Sequence, residues 1–230
     1  FYANMAAKAG MLGLCVSNVD PNMTAPGAKG MLLGNNPLAY AAPAKSTPSI
    51  FLDIAMSNVA SLKVVQARKD GRQIPDSWIV DKDGLPTTDP SHYPEEGAMQ
   101  PMAAHKGYGL SILVDLLTGA LANAATSMSG EIVSWCFELD KPNNVSHAFL
   151  VVNPEMFGGA QAYVQQNEQM AAALRKAPKA QGSTRIYTPG EIEWERYARA
   201  VSEGIKLPDD VAVSIEALSE DVGVKIPWKA

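Results

Sequence analysis

The chain has 230 residues, of which 47% are hydrophobic and 19% are charged. This composition provides enough apolar side chains for one or two buried cores and excludes an intrinsically disordered protein. The formal net charge is −5, from 19 basic and 24 acidic residues with the histidines neutral. Because no excess of positive charge is available to neutralise a phosphate backbone, the chain is not expected to bind nucleic acid.

The cysteines and the apolar runs predict where the protein resides. Cys15 and Cys136 lie in apolar segments, which favours two reduced, buried thiols over a disulfide and hence a reducing compartment, the cytoplasm. The apolar run at 11–16 is too short for a membrane span and has no charged region of a signal peptide before it. The longer run at 108–125 contains polar side chains that lipid would have to desolvate. No membrane segment is expected.

The first part of the chain predicts a helix followed by strands. Residues 2–10 are typical of a helix that ends at a glycine, and residues 11–17 of a short buried strand. Two prolines in the segment 33–43 limit any strand there to a few residues or to a sheet edge. Residues 49–55 predict another strand, with Asp53 near its end. Helix and strand together indicate a mixed fold.

The rest of the chain predicts loops, a central helix and a helical end. Turn-forming residues predominate from 68 to 105, and a helix at 108–122 is expected to be covered on several sides. Its predicted buried positions are Leu110, Leu113, Val114, Leu117 and Leu121. The other predicted elements are paired core strands at 133–139 and 148–152, a helix at 160–176 that packs on the sheet through Tyr163, Val164, Met170, Ala171 and Leu174, a helix from Glu191, and a helix at 209–221 capped by Asp209.

Several kinds of catalytic site find no support in the sequence. His92, His105 and His147 lack the spacing of metal ligands, so no metal is expected. There is no Gly-x-Ser-x-Gly elbow, and neither cysteine lies in a recognisable nucleophile setting. The glycine fingerprints of Rossmann and P-loop nucleotide sites are also missing.

Three short segments remain as candidates for ligand binding. In the segment His105-Lys106-Gly107-Tyr108-Gly109, a base and a titratable ring start the central helix, and Lys106 could hold a phosphate or a carboxylate. Asp53 could accept hydrogen bonds from a ribose, and Pro189-Gly190-Glu191 places free N–H groups at a helix start. The alternatives are a solvated lysine with a capping histidine, a satisfied turn carboxylate and an ordinary helix start.

Taken together, several segments resemble the type-2 malate/L-lactate dehydrogenase family, with the ureidoglycolate dehydrogenases as the most similar group. They occur in family order over nearly the whole chain, which makes the resemblance specific. Val19, where a serine is expected, and Leu62, where a glycine is expected, depart from the pattern. The matching segments are Ala6-Ala7-Lys8-Ala9-Gly10-Met11-Leu12-Gly13, Gly34-Asn35-Asn36-Pro37-Leu38-Ala39, Leu52-Asp53-Ile54-Ala55-Met56-Ser57, Ile74-Pro75-Asp76-Ser77-Trp78, residues 80–90, Lys106-Gly107-Tyr108-Gly109-Leu110 and Pro189-Gly190-Glu191.

The resemblance implies an α/β fold of the α+β type, in which a non-Rossmann domain with a mixed, largely antiparallel sheet binds NAD or NADP. Residues 1–188 would form this cofactor domain and residues 189–230 a C-terminal helical segment. His105 has no firm role in the family and is included as a candidate from its position beside Lys106. The predicted cofactor-binding residues are Val19, Asp53, Ile54, Ala55, Met56, Ser57, His105, Lys106, Gly190, Glu191, Ile192, Glu193, Trp194 and Glu195.

The implied reaction is hydride exchange between the nicotinamide and the C2 carbon of a small 2-hydroxy or 2-keto acid. The family's proton-transferring histidine falls a few residues before Phe1, so the catalytic residue is unknown here and the isolated chain is expected to be inactive. We expect the chain to be the C-terminal part of a longer, homodimeric enzyme. A natural short paralogue that binds a nucleotide without catalysis and a purely structural protein are the alternatives.

Overall fold

The computed structural model describes residues 1–134, 138–226 and 228. The chain forms two compact units, Phe1–Gly190 and a second that begins at Glu191. The first unit contains, in chain order, α1 (Tyr2–Lys8), β1 (Leu12–Ser17), β2 (Leu38–Ala42), β3 (Ile50–Ile54), α2 (Ser61–Lys69), β4 (Ile79–Val80), β5 (Pro86–Thr87), β6 (Ala98–Met99), α3 (His105–Thr118), β7 (His147–Val152) and α4 (Ala160–Lys176). The second contains α5 (Glu191–Glu203) and α6 (Asp209–Val222).

The first unit contains two antiparallel sheets. The larger has the strand order β3-β2-β1-β7, and the smaller has the order β5-β4-β6. Every pairing between named strands is antiparallel, which confirms the predicted α/β fold with a largely antiparallel sheet. The proline-bounded strand β2 has five residues and lies between β1 and β3, not at an edge.

Helix α1 lies against one half of the larger sheet through small residues. A Cβ atom on Gly13 would come within 2.6 Å of the Ala3 carbonyl oxygen and 2.8 Å of the Ala6 Cβ. Ala41, the partner of Gly13 in the neighbouring strand, is fully buried against the same helix. Without larger side chains between them, helix and sheet approach closely, and the other half of this face stays open.

The main core lies between the smaller sheet and α2 and contains many methionines. Met23, Met56 and Met99 are fully buried together with Ile79 and Val64. Their flexible side chains fill the irregular space among two-residue strands and long loops. This core supports the segment that follows β3, where several predicted cofactor residues lie.

The buried face of α3 differs from the prediction. Leu113 and Leu116 are 44% and 53% exposed, whereas Asp115 is only 3% exposed. Helical spacing identified the helix, but polar residues of the helix are buried while Leu113 and Leu116 face outward, so the prediction of cover on several sides was wrong. Among the predicted core positions, Leu110 and Leu117 are half-buried, Leu121 is exposed, and only Val114 is buried.

Strand β7 pairs with β1 and is not a core strand. Phe149, Leu150 and Val151 are all more than half exposed, since β7 is last in the strand order of the larger sheet. The strand predicted at 133–139 has its centre, residues 135–137, outside the described residues. Cys136 lies there too, while Cys15 is a free, half-buried thiol where a buried one was expected.

The later helices occur where they were predicted, with two differences. Helix α4 buries Ala171, as expected, but Met170 and Leu174 are exposed. Its buried Asn167 donates to the Pro43 carbonyl 3.0 Å away, so the helix is fastened to the loop after β2. In α6, Pro208 occupies the N-cap, and Asp209 is the first helical residue instead of the cap.

Candidate functional site

The open half of the larger sheet forms a cleft of about 350 Å³ beside α1. Its size lies in the range of small-molecule and cofactor sites. The cleft is predominantly apolar, with few ionisable groups. The side chains that line it are Phe1, Tyr2, Ala3, Cys15, Val16, Ser17, Pro37, Ala39, Asp53, His147 and Phe149.

Strand register explains why these side chains meet. Residues directly opposite each other in antiparallel strands project from the same face. Asp53 is opposite Ala39, Ala39 is opposite Cys15, and Cys15 is opposite Phe149, so one row crosses all four strands. The next row on this face places Ser17 opposite His147. The two rows together form the floor of the cleft.

Asp53 supplies the free negative charge of the cleft. Its side chain forms no hydrogen bond and no ion pair among the described residues, and the residue is exposed. Burial raises the pKa of the neighbouring Cys15 thiol, and the Asp53 charge adds to this increase while the N-terminal ammonium opposes it. Cys15 is therefore an uncharged, mostly apolar part of the floor at neutral pH, and Asp53 is available to a ligand's hydroxyl groups.

The segment after Asp53 leads directly to the start of α3. The Met102 N–H donates to the Met56 carbonyl oxygen at 2.7 Å, and Ser57 forms a bridge with Pro101. A Cβ atom on Gly107 would come within 2.4 Å of the Met56 oxygen. The structure thus brings Met56 and Ser57 next to the helix that begins with His105 and Lys106.

Met56 and Ser57 present little to a ligand through their side chains. The Met56 side chain is fully buried in the core. Ser57 is also buried, and its hydroxyl donates to the Val59 carbonyl oxygen at 2.8 Å. Ile54 and Ala55, which join them to Asp53, are half-buried. The cofactor contacts predicted for this segment stay predictions, and those of Met56 and Ser57 would involve the backbone.

His105 and Lys106 are exposed in the first turn of α3. The N-cap is Ala104, which makes no side-chain capping bond, so the alternative of a capping histidine is wrong. Ala103 and Ala104 have positive φ angles of 47° and 51°, a backbone conformation that costs energy for residues other than glycine. Neither His105 nor Lys106 forms an ion pair in the described part of the chain.

Val19, two residues after the end of β1, is fixed by the loop that leads into β2. Its N–H donates to the Asn36 Oδ1 atom at 3.1 Å, and a Cβ on Gly34 would come within 2.5 Å of its carbonyl oxygen. The Met56 N–H donates to the Asn35 carbonyl oxygen at 2.8 Å. The same loop therefore contacts two of the predicted cofactor residues.

A buried set of polar side chains beneath this loop was not predicted from the sequence. We call Asn18, Asn36, Ser111, Asp115 and Ser127 the polar cluster; all five are buried. The Asp115 carboxylate accepts hydrogen bonds from Asn36 Nδ2 at 3.1 Å, from the Ser127 N–H at 2.9 Å and from Asn18 Nδ2 at 3.5 Å. An acidic residue inside an apolar helix was the available signal.

The remaining predicted residues lie at and beyond the boundary between the two units. Gly190 has a φ of +85°, and any Cβ there would overlap the Phe51 ring; Phe51 is two residues before Asp53 on the same strand. In the second unit, residues 191–195 form the first turns of α5, and Trp194 makes an edge-on ring contact with Tyr197. The roles predicted for Gly190, Glu191, Ile192, Glu193, Trp194 and Glu195 stay predictions.

The described residues contain neither a metal-binding group nor a helix that could span a membrane. Among residues 1–134, 138–226 and 228, histidine, cysteine and acidic side chains form no group of three that could hold a metal ion. Within the same ranges, every helix is too short or too polar to cross a bilayer.

Comparison with known proteins gives a match over most of the chain. The family model described as malate/L-lactate dehydrogenase matches residues 1–216. Ureidoglycolate dehydrogenase (NAD(+)) from Escherichia coli K12 is 33% identical over 211 residues, covering 92% of this chain and 59% of that protein. Malate dehydrogenase from Pyrococcus horikoshii is 32% identical, covering 98% and 63%. The chain thus spans about three-fifths of the length of these curated relatives.

Solved structures agree with this match. The crystal structure of malate dehydrogenase from Entamoeba histolytica is similar with a TM-score of 0.87 at 25% identity, covering 98% of this chain and 65% of that one. Sulfolactate dehydrogenase from Methanocaldococcus jannaschii is similar with a TM-score of 0.85 at 28% identity, covering 97% and 63%.

Proposed function

The chain belongs to the malate/L-lactate dehydrogenase family, and we propose that it forms the NAD(P)-binding part of an oxidoreductase that acts on small 2-hydroxy or 2-keto acids. The observation that carries the proposal is the cleft on the open sheet face, where Asp53 lies unpaired. Family membership supports the class of reaction, and the geometry supports this surface as the cofactor site. The activity itself is proposed for the whole protein.

Residues of the cleft, together with Lys106 outside its lining, suit different parts of a dinucleotide. The Asp53 carboxylate can accept hydrogen bonds from ribose hydroxyl groups, as acidic residues do in other nucleotide sites. Ala39 and Phe149 offer apolar surface to a ring, and Lys106 at the start of α3 is a free cation for a phosphate. When bound, the nicotinamide would supply the hydride-transfer chemistry.

The substrate class follows from the chemistry shared by the relatives' names. Ureidoglycolate, malate and sulfolactate each carry a hydroxyl group on the carbon next to a carboxylate. We propose a substrate of this kind, with hydride exchange at that carbon. The resemblance places the proton-transferring histidine outside these residues, so turnover by the chain alone is not expected. A reducing compartment, the cytoplasm, fits the free thiol of Cys15.

The proposal is tested by titrating the chain with NADH and with NADPH and following the fluorescence of the nicotinamide. We expect binding of at least one, and Asp53→Asn should weaken it about tenfold because a charged hydrogen-bond acceptor is lost. Asp83→Asn, an acid in an exposed turn, is the control and should bind like the wild type. Absence of binding, or unchanged affinity of Asp53→Asn, would contradict the proposal.

Turnover of the whole protein distinguishes the enzyme from a nucleotide-binding paralogue. Malate, lactate and ureidoglycolate are offered with NAD or NADP, and formation of the reduced cofactor is followed by absorbance. Oxidation of any one supports the dehydrogenase. Cofactor binding with no oxidation of any 2-hydroxy acid would favour the paralogue.

A further inference from the structure

The polar cluster is joined to the segments that form one end of the cleft. The Val19 N–H donates to Asn36 Oδ1 at 3.1 Å, and the Ser146 N–H donates to Asn18 Oδ1 at 2.8 Å. The segments that contain Asn18, Asn36 and Ser146 each contribute a neighbouring residue to the cleft lining. These neighbours are Ser17 beside Asn18, Pro37 beside Asn36 and His147 beside Ser146.

Asp115 determines which way both amides face. Asn36 Nδ2 donates to the Ser111 carbonyl oxygen at 2.9 Å and to Asp115 Oδ2 at 3.1 Å. Asn36 Oδ1 then accepts hydrogen bonds from the Val19 N–H at 3.1 Å and from the Ser127 hydroxyl at 3.2 Å. Asn18 Nδ2 likewise donates to the Ala125 carbonyl oxygen and to Asp115 Oδ1. An ionised carboxylate only accepts hydrogen bonds, so neither amide can be reversed without placing an oxygen against it.

We propose that Asp115 is a positioning residue for the cofactor cleft, an inference that rests on the proposed function. Its carboxylate orients Asn18 and Asn36, and these amides hold the backbone at Val19 and Ser146. Asp115 forms no ion pair with a cationic side chain in the described part of the chain. Burying a carboxylate without an opposite charge is costly, so the orientation of the two amides beside the cleft provides a reason for the carboxylate.

The test compares Asp115→Asn with a matched control in the full chain. The substitution keeps the shape of the side chain at position 115. It introduces an amide N–H group at a site where Asn18, Asn36 and the Ser127 N–H already donate hydrogen bonds. We expect roughly tenfold weaker NADH binding and faster amide hydrogen exchange at Val19 and Ser146. Thr118→Val is the control, because Thr118 lies on the same buried side of α3 but, among the described residues, its hydroxyl bonds only the Val114 carbonyl oxygen. It should leave binding and exchange at both amides unchanged.

A reciprocal double variant separates orientation from general destabilisation. In Asn36→Asp with Asp115→Asn, the amide at position 115 donates to the carboxylate at position 36, whose second oxygen accepts the Val19 N–H; the Ser111 carbonyl oxygen loses the hydrogen bond that Asn36 donates to it. We therefore expect the double variant to regain the slow amide hydrogen exchange at Val19 and part of the NADH affinity. Exchange at Val19 as fast as in Asp115→Asn alone would overturn the role in orientation.

The remaining outcomes are also decisive. The inference is overturned if Asp115→Asn leaves amide hydrogen exchange at Val19 and Ser146 unchanged. It is also overturned if the wild type binds NADH and Asp115→Asn binds it with the same affinity. If the wild type binds neither NADH nor NADPH, the proposed function fails and the exchange comparison alone decides whether Asp115 fixes these segments. If Asp115→Asn does not fold, Ser127→Ala replaces it; this variant removes a hydroxyl that lies 3.2 Å from both Asp115 Oδ1 and Asn36 Oδ1. It should give a smaller increase in exchange at the same amides, and no increase overturns the inference.

Discussion

Glu168 shows how one carboxylate joins α4 to the loop after β2. Its Oε2 atom accepts hydrogen bonds from the Ser46 N–H at 2.9 Å and the Lys45 N–H at 3.0 Å. Hydrogen bonds from Ser46, with smaller contributions from Lys45 and the Arg175 charge, lower the pKa of Glu168. A pKa below that of the unfolded chain stabilises the fold above the unfolded pKa, and this stabilisation is lost as the pH falls through the folded-state pKa.

Glu168→Gln therefore has a pH-dependent effect on stability. We expect a loss of about 1.5 kcal/mol near pH 7, the lower end of the range for hydrogen bonds to a charged group, and a smaller loss at pH 3. Urea unfolding at both pH values measures it. Glu220→Gln, at an exposed position without a hydrogen bond or ion pair in the part of the chain that the structure describes, should change neither midpoint. An equal loss for Glu168→Gln at both pH values would contradict the linkage.

At the scale of residues, the sequence predicts Asp53 as a candidate at a strand end, but it does not predict the hydrogen bonds of Asp115. A carboxylate near the end of a predicted strand is conspicuous, and the strand was assigned from local apolar residues. The role of Asp115 depends on its hydrogen bonds with Asn36, 79 residues away in sequence, and with Asn18, 97 residues away. A single sequence contains no record of such distant pairings.

At the scale of elements, the start of α3 depends on one glycine. Gly107 is buried against the backbone of Met56 and Met102, and a Cβ there would lie 2.4 Å and 2.5 Å from their oxygen and nitrogen atoms. Gly109, two residues along the same helix, has nothing within 4 Å of its Cβ position. Only the first glycine is required by close approach.

Gly107→Ala and Gly109→Ala are consequently expected to act in opposite directions. Gly107→Ala should lower the thermal midpoint and weaken NADH binding, because it pushes α3 away from the segment after Asp53. Gly109→Ala should be neutral or stabilising by up to about 1 kcal/mol, since alanine is the better helix former. Calorimetry and the NADH titration check both. Equal effects of the two variants would show that the contact with Met56 is unimportant.

The elements that were predicted have strong local patterns, and the others do not. Strands β1 and β3 follow from short apolar runs, and α1 from a helical segment with a glycine after it. Strands β4, β5 and β6 have two residues each, too few for any alternation. Periodicity located α3, but it does not reveal whether leucines or polar residues face the sheet, because that depends on which neighbours cover the helix.

At the scale of the whole molecule, the first unit carries large apolar side chains on its surface. They include Phe149, Leu150 and Val151 on β7 and Leu113 and Leu116 on α3, each between 44% and 59% exposed. Leu113 and Leu116 are neighbours on one helix face, and exposed apolar patches mark interaction surfaces. Their presence supports the homodimer proposed from the family resemblance.

The expected assembly is measured by light scattering. The whole protein at micromolar concentration should have twice the mass of one chain, and the mass should fall towards that of one chain on dilution. High salt should change the mass little, since association through apolar surface is not screened by ions. A mass of one chain at micromolar concentration contradicts the homodimer.

The pairing of β1 with β7 has a consequence for how the chain is made. The β1–β7 pair joins residues far apart in sequence, with Leu12 opposite Val152, whereas the pairs β1–β2 and β2–β3 each join consecutive strands. On the ribosome, α1 and the first three strands emerge before β7. Until β7 is synthesised, the edge of β1 that faces away from β2 lacks its strand partner. The floor of the cleft is therefore completed late, and a nascent chain that stops before β7 exposes an open strand edge.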